Sequence, residues 1–202
     1  MKYAGDNGDP YLDKDTGVLR NLLGIKDQAG LDKAESSLSF LRANELREQP
    51  VKGKFDLAHL QEIHRRLFSD VYDWAGQIRQ VEIQKGNTAF ARQMAIESAA
   101  RQLFGQLAKE RHLQGLDTEL FSVRAGYYLG EINVLHPFRE GNGRAQREFI
   151  GQLAQAAGHR IDWSGINQED MTRASIAAYN GDSSALASLI RTGMANRSSF
   201  DR

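Results

Sequence analysis

"LFSVRAGYYLGEINVL", Leu120 to Leu135, is apolar on nearly every side of a helical wheel. A helix of that kind is central and buried, with other helices packed around it. It runs directly into "HPFREGNGRAQR", His136 to Arg147, which puts one histidine, one acid, two glycines, an asparagine and three arginines into twelve residues. Helical periodicity resumes from about Gly143 to Ala157, with Ala145, Phe149, Ile150, Leu153 and Ala157 inward and Gly158 as the stop. The polar stretch is therefore a loop between two packed helices.

The same spacing recurs on both sides. Leu31, Ala34, Leu38 and Leu41 mark one helix. Asp56 caps a second that runs to Phe68, with Leu57, Leu60, Ile63 and Leu67 on one stripe. A third runs from Arg92 to about Arg111, Gly115 breaks it, and Thr118 opens the central helix. Two shorter helices follow, roughly 168–180 and 183–192. Between the second and third helices the period changes. Ile78, Val81 and Ile83 favour a strand and Lys85-Gly86-Asn87-Thr88 a turn, so 78–90 reads as a small β-hairpin. Residues 1–29 form an N-terminal arm tacked down by Val18, Leu19, Leu22, Leu23 and Ile25. The expected fold class is all-α with one small hairpin, as a single domain over 1–202.

Composition limits the function. Lysine plus arginine equals aspartate plus glutamate at 26 each, so no bulk charge favours nucleic acid or an anionic membrane. No cysteine is present, which excludes disulfides and thiolate metal sites. No apolar run approaches the roughly 20 residues that span a bilayer. The start of the chain carries no signal-peptide core, and a cytoplasmic location is expected.

The loop has its own chemistry. Gly141-Asn142-Gly143 before a helix start can turn successive N–H groups toward an anion. Arg144 and Arg147, three apart, share a helix face and suit bidentate phosphate contacts. Glu140 is an acid beside that anion site, which a Mg²⁺ ion between carboxylate and phosphate would reconcile. His136, at the end of the buried helix, is a candidate general base. Phe138 is the apolar residue that can plug the loop into the core. His59 and His64 are five apart, do not share a helix face as zinc ligands would, and read as solvated surface.

These twelve residues resemble the motif of the Fic family, His-x-Phe-x-[Asp/Glu]-Gly-Asn-Gly-Arg-x-x-Arg, at every defined position. "DPYLDKDTGVLRNLLGI", "IHRRLFSDVYDWAGQIR" and "AYNGD" are similar to further segments of that family, so the likeness runs along nearly the whole chain. The resemblance implies transfer of AMP from ATP to a Ser, Thr or Tyr hydroxyl of a target protein. His136 would then take the hydroxyl proton and Glu140 would hold Mg²⁺. Phe138, Arg139, Gly141, Asn142, Gly143, Arg144 and Arg147 would make up the ATP and phosphate site, with Arg144 on the β-phosphate and Arg147 on the γ-phosphate. The hairpin would be a flap on which the target docks as a strand, along Ile83, Gln84, Lys85, Gly86 and Asn87. Met171 and Tyr179 are the residues bracketed for adenine, with core packing an equal reading of either. The competing implications are a Doc-like kinase or other phospho-group transfer, and a nucleotide-binding module without activity. Family members carry an inhibitory [Ser/Thr]-x-x-x-Glu-[Gly/Asn]; here the only Glu followed by Gly or Asn is Glu140 itself. The resemblance thus implies a separate small antitoxin protein that supplies a Glu to Arg147.

Overall fold

The computed structural model describes residues 4–5, 8–86 and 88–195. Seven α-helices lie among them: α1 (Gln28–Glu48), α2 (Leu57–Phe68), α3 (Ile96–Lys109), α4 (Thr118–Leu135), α5 (Asn142–Ala156), α6 (Gln168–Tyr179) and α7 (Ser184–Ala195). Three short strands, β1 (Ala4–Gly5), β2 (Ile83–Lys85) and β3 (Thr88–Ala89), form one antiparallel sheet in the order β1-β2-β3. The expected all-α class with a small hairpin is what the chain adopts.

Local chemistry explains the helix starts. Asp27, Asp56, Asp117 and Asn167 sit in extended backbone just before α1, α2, α4 and α6, and each side chain accepts an N–H from the first turn. Each such cap contributes about 1 kcal/mol. The central helix opens at Thr118, as expected, and Asp117 is its cap.

Helix α4 is the axis of the molecule. Phe121, Ala125, Tyr128 and Ile132 are fully buried, and α3, α5, α6 and α7 pack around them, while Leu120 and Val123 face outward. Burying each large apolar side chain is worth roughly 1.5–3 kcal/mol. Gly126 lets α7 come close, since a Cβ there would lie 2.7 Å from the Ala187 nitrogen. This packing fixes the C-terminal end of α4, where the polar loop begins. No helix among the described residues is long and apolar enough to cross a membrane.

Three expectations need correction. Leu22 and Leu23 do not tack the arm down: they are 59% and 42% exposed, and Tyr11, Val18 and Leu19 make the buried contacts instead. Leu41 faces outward, and the inward stripe of α1 is Leu31, Glu35, Ser39 and Leu46. His59 and His64 are buried, not solvated. The β2 strand is paired on both sides: Ala4 pairs with Gln84 and Gly5 with Ile83 on one side, while β3 pairs on the other.

Candidate active site

The last turn of α4 delivers His136. Its N–H still bonds to the Ile132 carbonyl at 3.1 Å, but its backbone is left-handed, at φ 42° and ψ 60°. Pro137 follows and cannot extend the helix. The loop then closes on itself through Asn142. The Asn142 Oδ1 accepts from the Phe138 N–H at 2.9 Å, and its Nδ2 donates to the Phe138 carbonyl at 2.7 Å. The Asn142 amide is therefore engaged in shaping the loop.

Gly141 is the residue before α5, with φ 80°, and no side chain caps the helix. The first helical bond is Ala145 N–H to Gly141 carbonyl at 3.2 Å. The N–H groups of Asn142, Gly143 and Arg144 precede it and point out of the helix end, where the partial positive charge of the helix gathers. Gly143 has ordinary helical backbone, so it lies inside the first turn. A Cβ there would touch only the Arg147 Nη1, at 3.5 Å.

The three arginines of the loop have different surroundings. Arg139 is buried against the N-terminal arm, its Nε 2.8 Å from the Asp9 Oδ2. That ion pair ties its guanidinium to the arm. Arg144 stacks on Phe68, donates to the Ser39 Oγ at 2.9 Å, and forms an ion pair with Glu35. Tyr72 donates to the same carboxylate, and burial together with the Glu35 charge pushes its hydroxyl pKa up. Two of the five Arg144 N–H groups serve these α1 partners, and the head group is held at the rim of a cleft. Arg147 lines the same cleft with no described carboxylate pairing with it; burial and the Arg144 charge lower its pKa. The cleft, of about 720 Å³, lies between α1, α5 and the segment leading into α6.

Phe138 is fully buried as a core plug, its ring stacked on His64 at 3.9 Å. It is not available as a nucleotide contact through its side chain. His64 is a hinge pin for the loop. Its Nδ1 accepts from the Gly76 N–H at 2.8 Å, which places the proton on Nε2, and Nε2 donates to the Glu140 carbonyl at 2.9 Å. Burial lowers its pKa to about 3, so the ring is neutral and this tautomer persists.

His136 is read in the same way. Its Nδ1 faces the Asn133 carbonyl at 3.0 Å, so Nδ1 carries the proton and the basic lone pair of the neutral ring is on Nε2. Phe90 stacks on the ring at 3.7 Å. Burial, aided by the charges of Arg79 and Lys85, lowers its pKa to about 3. Arrival of a polyphosphate would oppose that effect and raise its basicity. The acid limb of kcat/KM, which reports the free protein, should therefore fall well below pH 6.5. A pH profile that halves near 6.5 would contradict this placement of His136.

Glu140 offers one carboxylate, and its Oε1 accepts from the Gly141 N–H at 3.0 Å. No cluster of three or more His, Asp or Glu residues suited to a metal exists among the described residues. A single carboxylate beside an anion-receiving helix end does fit an ion that is shared with substrate phosphates and keeps its waters, as Mg²⁺ does.

Met171 and Tyr179 occupy the two ends of α6 with different neighbours. Met171 lines the arginine cleft. Tyr179 donates to the Ala89 carbonyl of the hairpin at 2.8 Å. Of the docking residues, Ile83 to Lys85 form β2 and Gly86 the turn. Asn87 lies outside the described residues.

Fold and site together define a class: a helical bundle with a buried neutral histidine at one helix end and, across a tight loop, an uncapped helix start flanked by arginines. Residues 54–154 match the Fic/DOC family, and the chain belongs to that family. It is 55% identical over 193 residues to "Protein adenylyltransferase VbhT" of Bartonella schoenbuchensis, covering 96% of this chain and 40% of that protein. It is 42% identical to "Probable protein adenylyltransferase Fic" of Escherichia coli, with 90% of each chain covered. Among solved structures it is similar to the effector BepC of Bartonella tribocorum with bound AMPPNP. There the TM-score is 0.84 and the identity 33%, over 91% of this chain and 95% of that one. It is also similar to the ADP-bound N-terminal Fic domain of a Bartonella quintana effector, at TM-score 0.86 and 33% identity over 91% and 93%.

Proposed function

We propose that this chain is a protein adenylyltransferase, which moves AMP from ATP to a hydroxyl side chain of a target protein within one Fic-type unit. The observation that carries the reading is the neutral, Nδ1-protonated His136 next to the uncapped start of α5. In the reaction the target oxygen attacks the α-phosphorus and a new O–P bond forms. The bond from that phosphorus to the bridging oxygen of the β-phosphate breaks, and pyrophosphate leaves. The hydroxyl proton passes to the His136 Nε2. The N–H groups of Asn142 and Gly143, with Arg144 and Arg147, hold the phosphates and stabilise the charge that gathers on the leaving group. Glu140 would hold Mg²⁺, which supplies further neutralisation of phosphate charge. The relatives named as protein adenylyltransferases and the nucleotide-bound neighbours support this reading.

The test is an extract incubated with the chain and ATP labelled at either the α- or the γ-phosphate. Label entering proteins from the α position supports AMP transfer. Label from the γ position alone would instead establish Doc-like phosphate transfer. Glu140→Ala should weaken the dependence on Mg²⁺ and lower transfer together. A parent enzyme equally active after chelation with EDTA would remove Glu140 from that role.

Target docking belongs to the hairpin. Because β1 already pairs with β2, a target strand on Ile83 to Lys85 has to displace Ala4–Gly5. The adenine assignment rests on Met171, which shares the cleft with Arg144 and Arg147. We assign restraint to a separate small antitoxin that docks along α1 and sends a Glu to Arg147, making a bidentate pair that competes for the γ-phosphate position. The cytoplasm is the matching location. Truncating that Glu should release activity while the complex persists; continued silence of the truncated complex would overturn the assignment.

A further inference from the structure

Arg79 lies between β2 and the Trp74 segment and is completely buried. Its nearest carboxylate, Glu82, is 3.5 Å away and half exposed. The guanidinium is instead satisfied by three backbone carbonyls. Nε donates to the His136 carbonyl at 2.9 Å, Nη1 to Val81 at 2.7 Å, and Nη2 to Ala91. Val81 and Ala91 stand just outside the two strands of the hairpin, so the guanidinium spans its neck.

The backbone repeats the same junction. The Arg79 N–H donates to the Pro137 carbonyl at 2.9 Å, and the Ala91 N–H to the Val134 carbonyl at 3.0 Å. Between them, Phe90 leaves the hairpin and lays its ring on His136. A buried charge is costly unless its hydrogen bonds are complete. A rigid fork of donors meets three divergent carbonyls where a lysine ammonium on a flexible stem cannot.

We propose that Arg79 is a positioning residue that joins the flap to His136, so that a target docked on the flap is presented at a set distance and orientation from the imidazole. The inference rests on the reading of His136 as the base.

The experiment uses the full chain with Arg79→Lys and Arg79→Met. Three quantities are read: AMPPNP affinity with Mg²⁺ by calorimetry, incorporation of α-labelled AMP into extract proteins at saturating ATP, and amide exchange by mass spectrometry. Both variants should bind AMPPNP nearly as the parent does, since the arginine cleft is untouched. Transfer should fall by about 10²-fold, the scale expected when reacting atoms are misplaced by about 1 Å. Exchange should accelerate at 83–91 and not in α4. A purely structural role would instead lower AMPPNP affinity and protection across the molecule together, and that result overturns the proposal. So does a Lys variant that transfers at a rate close to the parent's. If neither variant folds, the parent decides alone: the amides of Arg79, Ala91 and His136 should open as one unit, and separate opening rates overturn the coupling. A parent that labels nothing defeats the transfer reading, while the exchange data still judge the junction.

Discussion

Replacing His136 with alanine should abolish detectable transfer, a loss of about 10²–10⁴-fold, while leaving AMPPNP binding nearly intact. The separation follows from the geometry. The imidazole ends α4, with its Nδ1 tied to Asn133 and its flank covered by Phe90. The groups that would hold phosphate sit on the next helix, at the N–H groups of Asn142 and Gly143 and on Arg144 and Arg147. Alanine removes the proposed proton acceptor, with its Asn133 hydrogen bond and Phe90 stack, and leaves the phosphate-facing groups of α5 in place. The measurement pairs calorimetry of AMPPNP with single-turnover labelling. A variant that transfers within a few-fold of the parent would take His136 out of the proton path.

The second large effect is expected from a single methyl group. Gly141→Ala should remove nucleotide binding and cost roughly 3 kcal/mol of stability, by left-handed strain and overpacking together. At φ 80° any Cβ is strained, and here it would lie 2.5 Å from Cε2 and Cζ of Phe68, a ring with no exposed surface. Phe68 also supports Arg144, so a displaced ring disturbs the proposed phosphate clamp as well. The control is Gly143→Ala, where backbone and space are both ordinary. Thermal unfolding and AMPPNP titration of the pair should separate sharply. Equal behaviour of the two alanine variants would show that the loop does not need the tight turn at Gly141.

Local signals in the chain carried the fold. The all-round apolar stretch from Leu120 to Leu135, the cap at Asp56 and the break at Gly115 depend on residues a few positions apart, so they can be read without a partner. The missed features join positions far apart. Glu35 meets Arg144 and Asp9 meets Arg139 across 109 and 130 residues. One hint was present: Leu31, Glu35 and Ser39 recur every four residues, which puts an acid and a hydroxyl on a buried stripe. His64 gave no hint, because its value lies in bridging Gly76 to Glu140, and only the folded chain brings them together. Arg79 is similar, since carbonyl acceptors leave no trace in residue type.

The left-handed backbone of His136 sets two kinds of fitness against each other. At the end of a helix that conformation suits glycine, and asparagine tolerates it better than most residues. Imidazole has no such advantage there, and the Arg79 clamp on its carbonyl helps to hold the shape. A glycine at 136 would give a more heat-tolerant protein than an alanine, and neither would have a base. A screen that rewards only folding will thus favour replacement of the side chain proposed as the base, so variants gathered by thermal selection must be assayed for transfer before they are taken as improved.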